Sequence, residues 1–182
     1  LAKDVKRGNR LLLDDGRIVL EVEKVKGSEI HCFTVVGGEL SNSKGINLQG
    51  GGLSTDGLTE KDISDLVHAV GMGVDYIAVS FVKSAKDISI PRAHLKKLKS
   101  HAHIIAKMER TEALHNAEQI ISAADAIMIA RGDLGVEIGD AALPPVQKRL
   151  INLAREMDTA VITATQMMES MIENQTPTRA EV

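Results

Sequence analysis

Ile104-Ile105-Ala106-Lys107-Met108-Glu109 and, downstream, Ala126-Ile127-Met128-Ile129-Ala130-Arg131-Gly132-Asp133-Leu134-Gly135 are apolar runs of strand length that finish on charged residues. A strand buried on both faces of a parallel sheet reads as a continuous aliphatic stretch, and both segments do so until their last residues. The same texture recurs in Tyr76-Ile77-Ala78-Val79, ending at Ser80-Phe81, and in Ala160-Val161-Ile162-Thr163-Ala164, ending at Thr165-Gln166. Helical patterns lie between them. Thr59, with Asp62 three residues on, is a capping signature ahead of Ile63, Leu66, Val67 and Val70, which share one face and should pack on a sheet. Ser84 can cap a helix carrying Ile88, Leu95 and Leu98, which Pro91 should kink or delay. Another helix is expected from Thr111, and one after Pro144-Pro145 that buries Val146, Leu150, Leu153, Ala154 and Met157. Strand and helix alternating from Leu53 onward predict parallel strands joined by crossover helices.

Residues 10–52 follow another grammar, with short apolar runs broken by Asp-Gly and Gly-Gly turns. Leu11-Leu12-Leu13 leads into Asp14-Asp15-Gly16; Ile18, Leu20 and Val22 then alternate with Val19, Glu21 and Glu23, and a third run covers Ile30 to Val36. A small antiparallel β domain is expected here.

Composition narrows the function. The 182 residues are 43% hydrophobic, enough for a packed core. With 22 basic and 25 acidic residues spread along the chain, the net charge of −3 offers no basic face for nucleic acid or an anionic membrane. Phe33, Tyr76 and Phe81 are the whole aromatic content, which argues against base-stacking platforms. Cys32 stands alone, which excludes an internal disulfide framework, and His31, His68, His94, His101, His103 and His115 form no ligand spacing. A reducing compartment such as the cytoplasm fits the lone cysteine. No apolar run reaches membrane-span length and no leader opens the chain, while Leu1 and Val182 both read as cut ends.

The polar strand ends carry the chemistry. In a (β/α)8 barrel the C-terminal strand ends form the active-site face. Lys107 and Glu109 are two apart and point the same way on a strand, which suits either a shared site or a structural ion pair. The Arg131-Gly132-Asp133-Leu134-Gly135 stretch, where a strand turns into a short helix, would present backbone N–H groups to an anion such as a carboxylate. Asp133 contradicts an anion site unless a divalent cation lies between, with Glu109 as its second carboxylate. As an isolated pattern, Gly-Asp-x-Gly is equally a tight turn.

Taken together, IIAKMER at 104–110, IMIARGDLGVEI at 127–138, VITATQMMESM at 161–171 and PTRAEV at 177–182 resemble the pyruvate kinase family in order and spacing. LLLDDGRI at 11–18, SNSKGINL at 41–48 and VDYIAVSFV at 74–82 resemble earlier segments of that family, and GGGLS at 50–54 looks like its bacterial branch. The resemblance implies an α/β fold in which residues 53–182 are part of a (β/α)8 TIM barrel, its strands four to seven. Residues 1–52 would then be the C-terminal half of a small inserted β-barrel lid domain.

By the same resemblance Lys107 contacts the phosphoryl group in flight, while Glu109 and Asp133 are ligands of Mg2+ or Mn2+. The Gly132 and Asp133 N–H groups hold the substrate carboxylate. Thr165 lies beside the methylene carbon, where it orients proton delivery. Ser80 is placed near the phosphate and a monovalent cation, K+ being the candidate. Lys44 matches a lid lysine that reaches the nucleotide phosphates. Asp15 faces the cleft in the family, although a hairpin turn accounts for it fully. Arg131 and Arg179 look like residues of a subunit contact, and Met167, Met168 and Met171 read as helix packing. The partners implied are phosphoenolpyruvate or pyruvate, ADP or ATP, and further copies of the chain in a homo-oligomer, a tetramer in the full-length family. Two other readings stand beside this one: a noncatalytic fragment, and a metal-dependent barrel lyase or aldolase acting on pyruvate enolate. The latter would share Glu109 and Asp133 but leaves Lys44 and the lid unexplained.

Overall fold

A computed structural model describes residues 1–54, 58–179 and 181. Of the last motif, PTRAEV, Ala180 and Val182 lie outside the described residues. The chain opens with β1 (Arg10–Leu13), β2 (Ile18–Lys26), β3 (Glu29–Val36) and β4 (Ile46–Leu48), an antiparallel sheet in the order β3-β2-β1-β4. Leu11, Leu13, Ile18, Val22 and Leu48 turn inward with Val5 and Leu53 to make a small core. The β1–β2 connection places Asp14, Asp15 and Gly16 at φ 49°, 56° and 84°, which explains its Asp-Asp-Gly composition. The sequence reading has three runs here and misses β4, whose length is too short to show a period.

The second sheet is parallel. Its elements are α1 (Glu60–Gly71), β5 (Tyr76–Val79), α2 (Ala85–Lys97), β6 (His103–Met108), α3 (Thr111–His115), α4 (Ala117–Ala123), β7 (Ala126–Ala130), α5 (Arg131–Ile138), α6 (Leu143–Glu156) and β8 (Ala160–Ala164). The strands run in the order β5-β6-β7-β8, with Val79 beside Ala106, Met108 beside Ile129 and Ala130 beside Ala164. This register brings the C-terminal ends of all four strands to one edge. Ile104, Met108, Ile127 and Ile129 from the central strands pack with Ile88, Ile120, Ile121, Leu134 and Leu150 from the helices, all fully buried.

The helix signals have the expected chemistry and some different outcomes. Thr59 and Asp62 form a reciprocal capping box, with Thr59 N–H donating to Asp62 Oδ2 at 2.8 Å and Asp62 N–H to Thr59 Oγ1 at 3.1 Å. Leu66 is buried and Val70 packs against the core, but Val67 is 48% exposed because it lies on the flank of that stripe. Pro91 does not delay α2, which starts at Ala85 and continues through the buried proline. The helix expected from Thr111 breaks at Asn116, whose Nδ2 donates to Lys83 O at 2.8 Å and Glu112 O at 3.3 Å. That side chain competes with helix continuation through local backbone bonding. Among the described residues no helix is long and apolar enough to cross a membrane.

After β8 the chain makes a 3-10 turn, Glu169–Ile172, tied down by Glu181. The Glu181 carboxylate accepts from the Ser170 hydroxyl and N–H and from the Thr178 N–H and hydroxyl, which lowers its pKa to about 2. The tie is therefore in force above the ordinary carboxylate pKa of 4.5 and is lost as pH falls toward 2. A carboxyl titration by NMR should find Glu181 still ionised at pH 3.5, and amide exchange at Ser170 should accelerate only below that.

Candidate active site

β5 and β6 build the first half of the site. Lys107, near the end of β6, and Glu109, just beyond it, project together, with Nζ 2.8 Å from Oε2. The Lys107 ammonium also donates to Ser80 Oγ at 3.1 Å, and Phe81 N–H donates to Glu109 Oε1 at 2.7 Å. Phe81 reaches that carboxylate through a left-handed backbone, φ 56°, uncommon for a bulky residue. The Glu109 side chain is 1% exposed, and its Oε2 is buried without a well-formed hydrogen bond, leaving the lysine charge as its compensation.

β7 and β8 build the other half. Gly132, in the first turn of α5, donates its N–H to Thr165 Oγ1 at 3.0 Å. Thr165 lies at φ 78°, a strained conformation for a β-branched residue. Arg131 holds it there, donating to Ala164 O at 2.7 Å, Thr165 O at 3.1 Å and Gln166 O at 3.0 Å. These bonds use Nε and Nη2 of the guanidinium. Asp133 is exposed, and among the described residues nothing engages its carboxylate.

Gly132, Asp133 and Thr165 line one cleft of about 680 Å³, faced from the antiparallel sheet by Asp15 and Gly16. Lys107, Glu109 and Ser80 are joined by direct contacts on the neighbouring strands instead. Because Lys107 pairs in register with Met128 of β7, only about 5 Å, one strand spacing, separates the two strand ends. Lys44 stands apart from the cleft lining, its ammonium 2.7 Å from Asp14 Oδ1. That hydrogen bond holds the Asp14 carboxyl below the usual range. Asp15 lines the cleft from a hairpin turn that accounts for its place in the sequence.

Glu109 and Asp133 are the hard oxygen donors on which a divalent ion would draw. Glu109 supplies a buried oxygen lacking a proper hydrogen bond, and Asp133 an uncommitted carboxylate, both hard ligands. Among the described residues no cluster of three or more His, Cys, Asp and Glu side chains could hold a metal. An ion here would complete its shell with substrate oxygens or water, as Mg2+ commonly does.

These features define an α/β domain with a parallel sheet that gathers charged and polar side chains at one sheet edge. The chain belongs to the pyruvate kinase barrel-domain family, whose model matches residues 1–182. It is 58% identical to a pyruvate kinase of Buchnera aphidicola subsp. Acyrthosiphon pisum, over 100% of this chain and 38% of that protein. It is likewise 54% identical to a pyruvate kinase of Haemophilus influenzae, over 100% of this chain and 39% of that protein. For a pyruvate kinase of Mycobacterium tuberculosis the identity is 48%, over 100% of this chain and 38% of that protein. The chain therefore spans less than half the length of the curated relatives it matches.

Proposed function

We propose that this chain forms part of a pyruvate kinase active site, transferring phosphoryl from phosphoenolpyruvate to ADP to give pyruvate and ATP. The observation that carries the reading is the Lys107 ammonium, 2.8 Å from Glu109 and 3.1 Å from Ser80, at the C-terminal edge of a parallel sheet. In this reading residues 53–182 are strands four to seven of a (β/α)8 barrel and residues 1–52 are the C-terminal half of its lid domain. The complete protein would be a cytoplasmic homo-oligomer, with K+ near Ser80.

Phosphoryl transfer needs positioning and charge neutralisation more than covalent chemistry from the protein. Lys107 is restrained by Glu109 and Ser80, so its charge is in place before the phosphoryl oxygens arrive. Glu109 and Asp133 would hold Mg2+ or Mn2+, which when bound neutralises substrate charge and orients the carboxylate and carbonyl oxygens. The Gly132 and Asp133 N–H groups, at the start of α5, would receive the substrate carboxylate. Gly132 N–H is donated to Thr165 Oγ1 before substrate enters, so a carboxylate there would displace the hydroxyl. Freed in that way, Thr165 could order a water chain that protonates the enolate at its methylene carbon, since a hydroxyl alone is a poor acid. Lys44 would release Asp14 and reach the nucleotide phosphates on lid closure.

The test is pyruvate formation from phosphoenolpyruvate and ADP, coupled to lactate dehydrogenase, in a full-length protein carrying this chain. Exchange of solvent hydrogen into the pyruvate methyl group tests the enolate half-reaction alone. Activity in both supports the reading; exchange without ATP formation would favour a lyase. A finer check is Gly132→Val. A Cβ at Gly132 would lie 3.4 Å from Thr165 Oγ1 and 3.5 Å from its Cγ2, ordinary contact distances, and the valine methyls beyond it should narrow the carboxylate approach. Losing one charge-assisted hydrogen bond should raise KM for phosphoenolpyruvate about ten- to a hundredfold in steady-state kinetics, with KM for ADP little changed.

A further inference from the structure

Helix α5 carries Asp133 and Glu137 one turn apart, so both side chains leave the same stripe of the helix. Asp133 is exposed at the cleft, whereas Glu137 is 3% exposed. Arg110, which directly follows Glu109, is buried to the same degree, with its Nε 2.9 Å from Glu137 Oε1. Glu137 Oε2 accepts from Thr111 N–H at 2.8 Å and from the Thr111 hydroxyl at 3.1 Å. Glu112, 3.5 Å from Arg110 Nε, accepts from Gly52 N–H at 2.7 Å, and Gly50 N–H donates to Glu137 O at 3.2 Å. One buried cluster thus joins the exit of β6, helix α5 and the loop that follows β4.

Stability alone does not account for this arrangement. Buried ion pairs gain little or nothing over apolar packing of equal volume, and here Arg110 Nε and Nη2 are both buried without a formed hydrogen bond among the described residues, so the guanidinium meets Glu137 by charge alone. What the cluster fixes is orientation. From Glu109 the path runs through Arg110 to Glu137 and then back one helical turn to Asp133, with a single non-covalent step in it.

We infer that Glu137 is a positioning residue: clamped by Arg110 and Thr111, it sets the roll of α5 so that Asp133 and Glu109 converge on one divalent ion. The inference rests on Glu109 and Asp133 being that ion's ligands. Glu137 acts through Asp133, and through Gly50 it ties the antiparallel sheet to the same helix.

Mn2+ titration of a full-length protein carrying this chain, without substrates, tests it. Free Mn2+ is followed by electron paramagnetic resonance, and folding by circular dichroism in parallel. Glu137→Gln keeps an acceptor for Thr111 but loses the charge facing Arg110. It should weaken Mn2+ binding about ten- to a hundredfold in protein that is still folded, as displaced outer partners of a metal site do. Should Glu137→Gln fail to fold, Arg110→Lys, which keeps the cation but not the reach of the guanidinium, decides with the same expected loss. Wild-type Mn2+ affinity in the folded variant, beside lost affinity in Glu109→Gln, would overturn the positioning role and leave the site reading intact. Wild-type affinity in Glu109→Gln itself would overturn the ligand assignment and the positioning role with it.

Discussion

Lys107→Met should lower phosphoryl transfer in the full-length protein by about a hundred- to a thousandfold, the cost of losing one preorganised group that meets developing charge. Mn2+ binding should survive the change. Lys107 Nζ compensates a Glu109 carboxylate whose side chain is 1% exposed, so removing the ammonium leaves a buried anion that a divalent ion can neutralise. Metal affinity in the variant should therefore equal or exceed that of the wild type. The measurement pairs steady-state assay of pyruvate formation with a Mn2+ titration on the same preparation. Lost metal affinity would show that Lys107 organises Glu109 rather than the reacting phosphoryl group.

Leu134→Ala should give the second large effect, this one on stability. Leu134 follows Asp133 on α5 and is fully buried in the larger core. Truncating it removes apolar surface and leaves a cavity beneath the first turn of the helix, at a cost of about 2–5 kcal/mol. Equilibrium urea denaturation measures that loss as a shift in midpoint. A change under 1 kcal/mol, roughly the error of such a comparison, would mean that α5 is held by its polar cluster rather than by its packing.

Much of the fold was legible because local periodicity and tertiary burial agree. β7 and β8 start and stop at the residues their apolar runs define, and Thr59 caps α1 with the Asp62 that its spacing suggests. Lys107 and Glu109 could be paired from sequence because two-residue spacing survives at a strand end. Other features depend on contacts that no local window contains. Asn116 ends α3 by bonding the loop after β5, and Pro91 is carried within α2 by packing that offsets its missing donor. The left-handed turn at Thr165 is held by an arginine far away in sequence.

The carboxylates divide in the same way. Glu109 and Asp133 stood out because acids at the ends of apolar strands are chemically conspicuous. Glu137 did not, because an acid late in a short helix reads as solvated surface until the fold sets Arg110 against it. Lys44 stood out only through the resemblance of residues 41–48 to the family, and its pairing with Asp14 needed β1 and β4 to be neighbours.

The shared ion is tested most directly by a crystal structure of the full-length protein grown with Mn2+, the ion being located by its anomalous scattering. The expected result is a single Mn2+ bonded to oxygens of both Glu109 and Asp133, with the Lys107 ammonium on the same side of the sheet edge. An ion bound by only one of these carboxylates, or seated elsewhere in the chain, would contradict it.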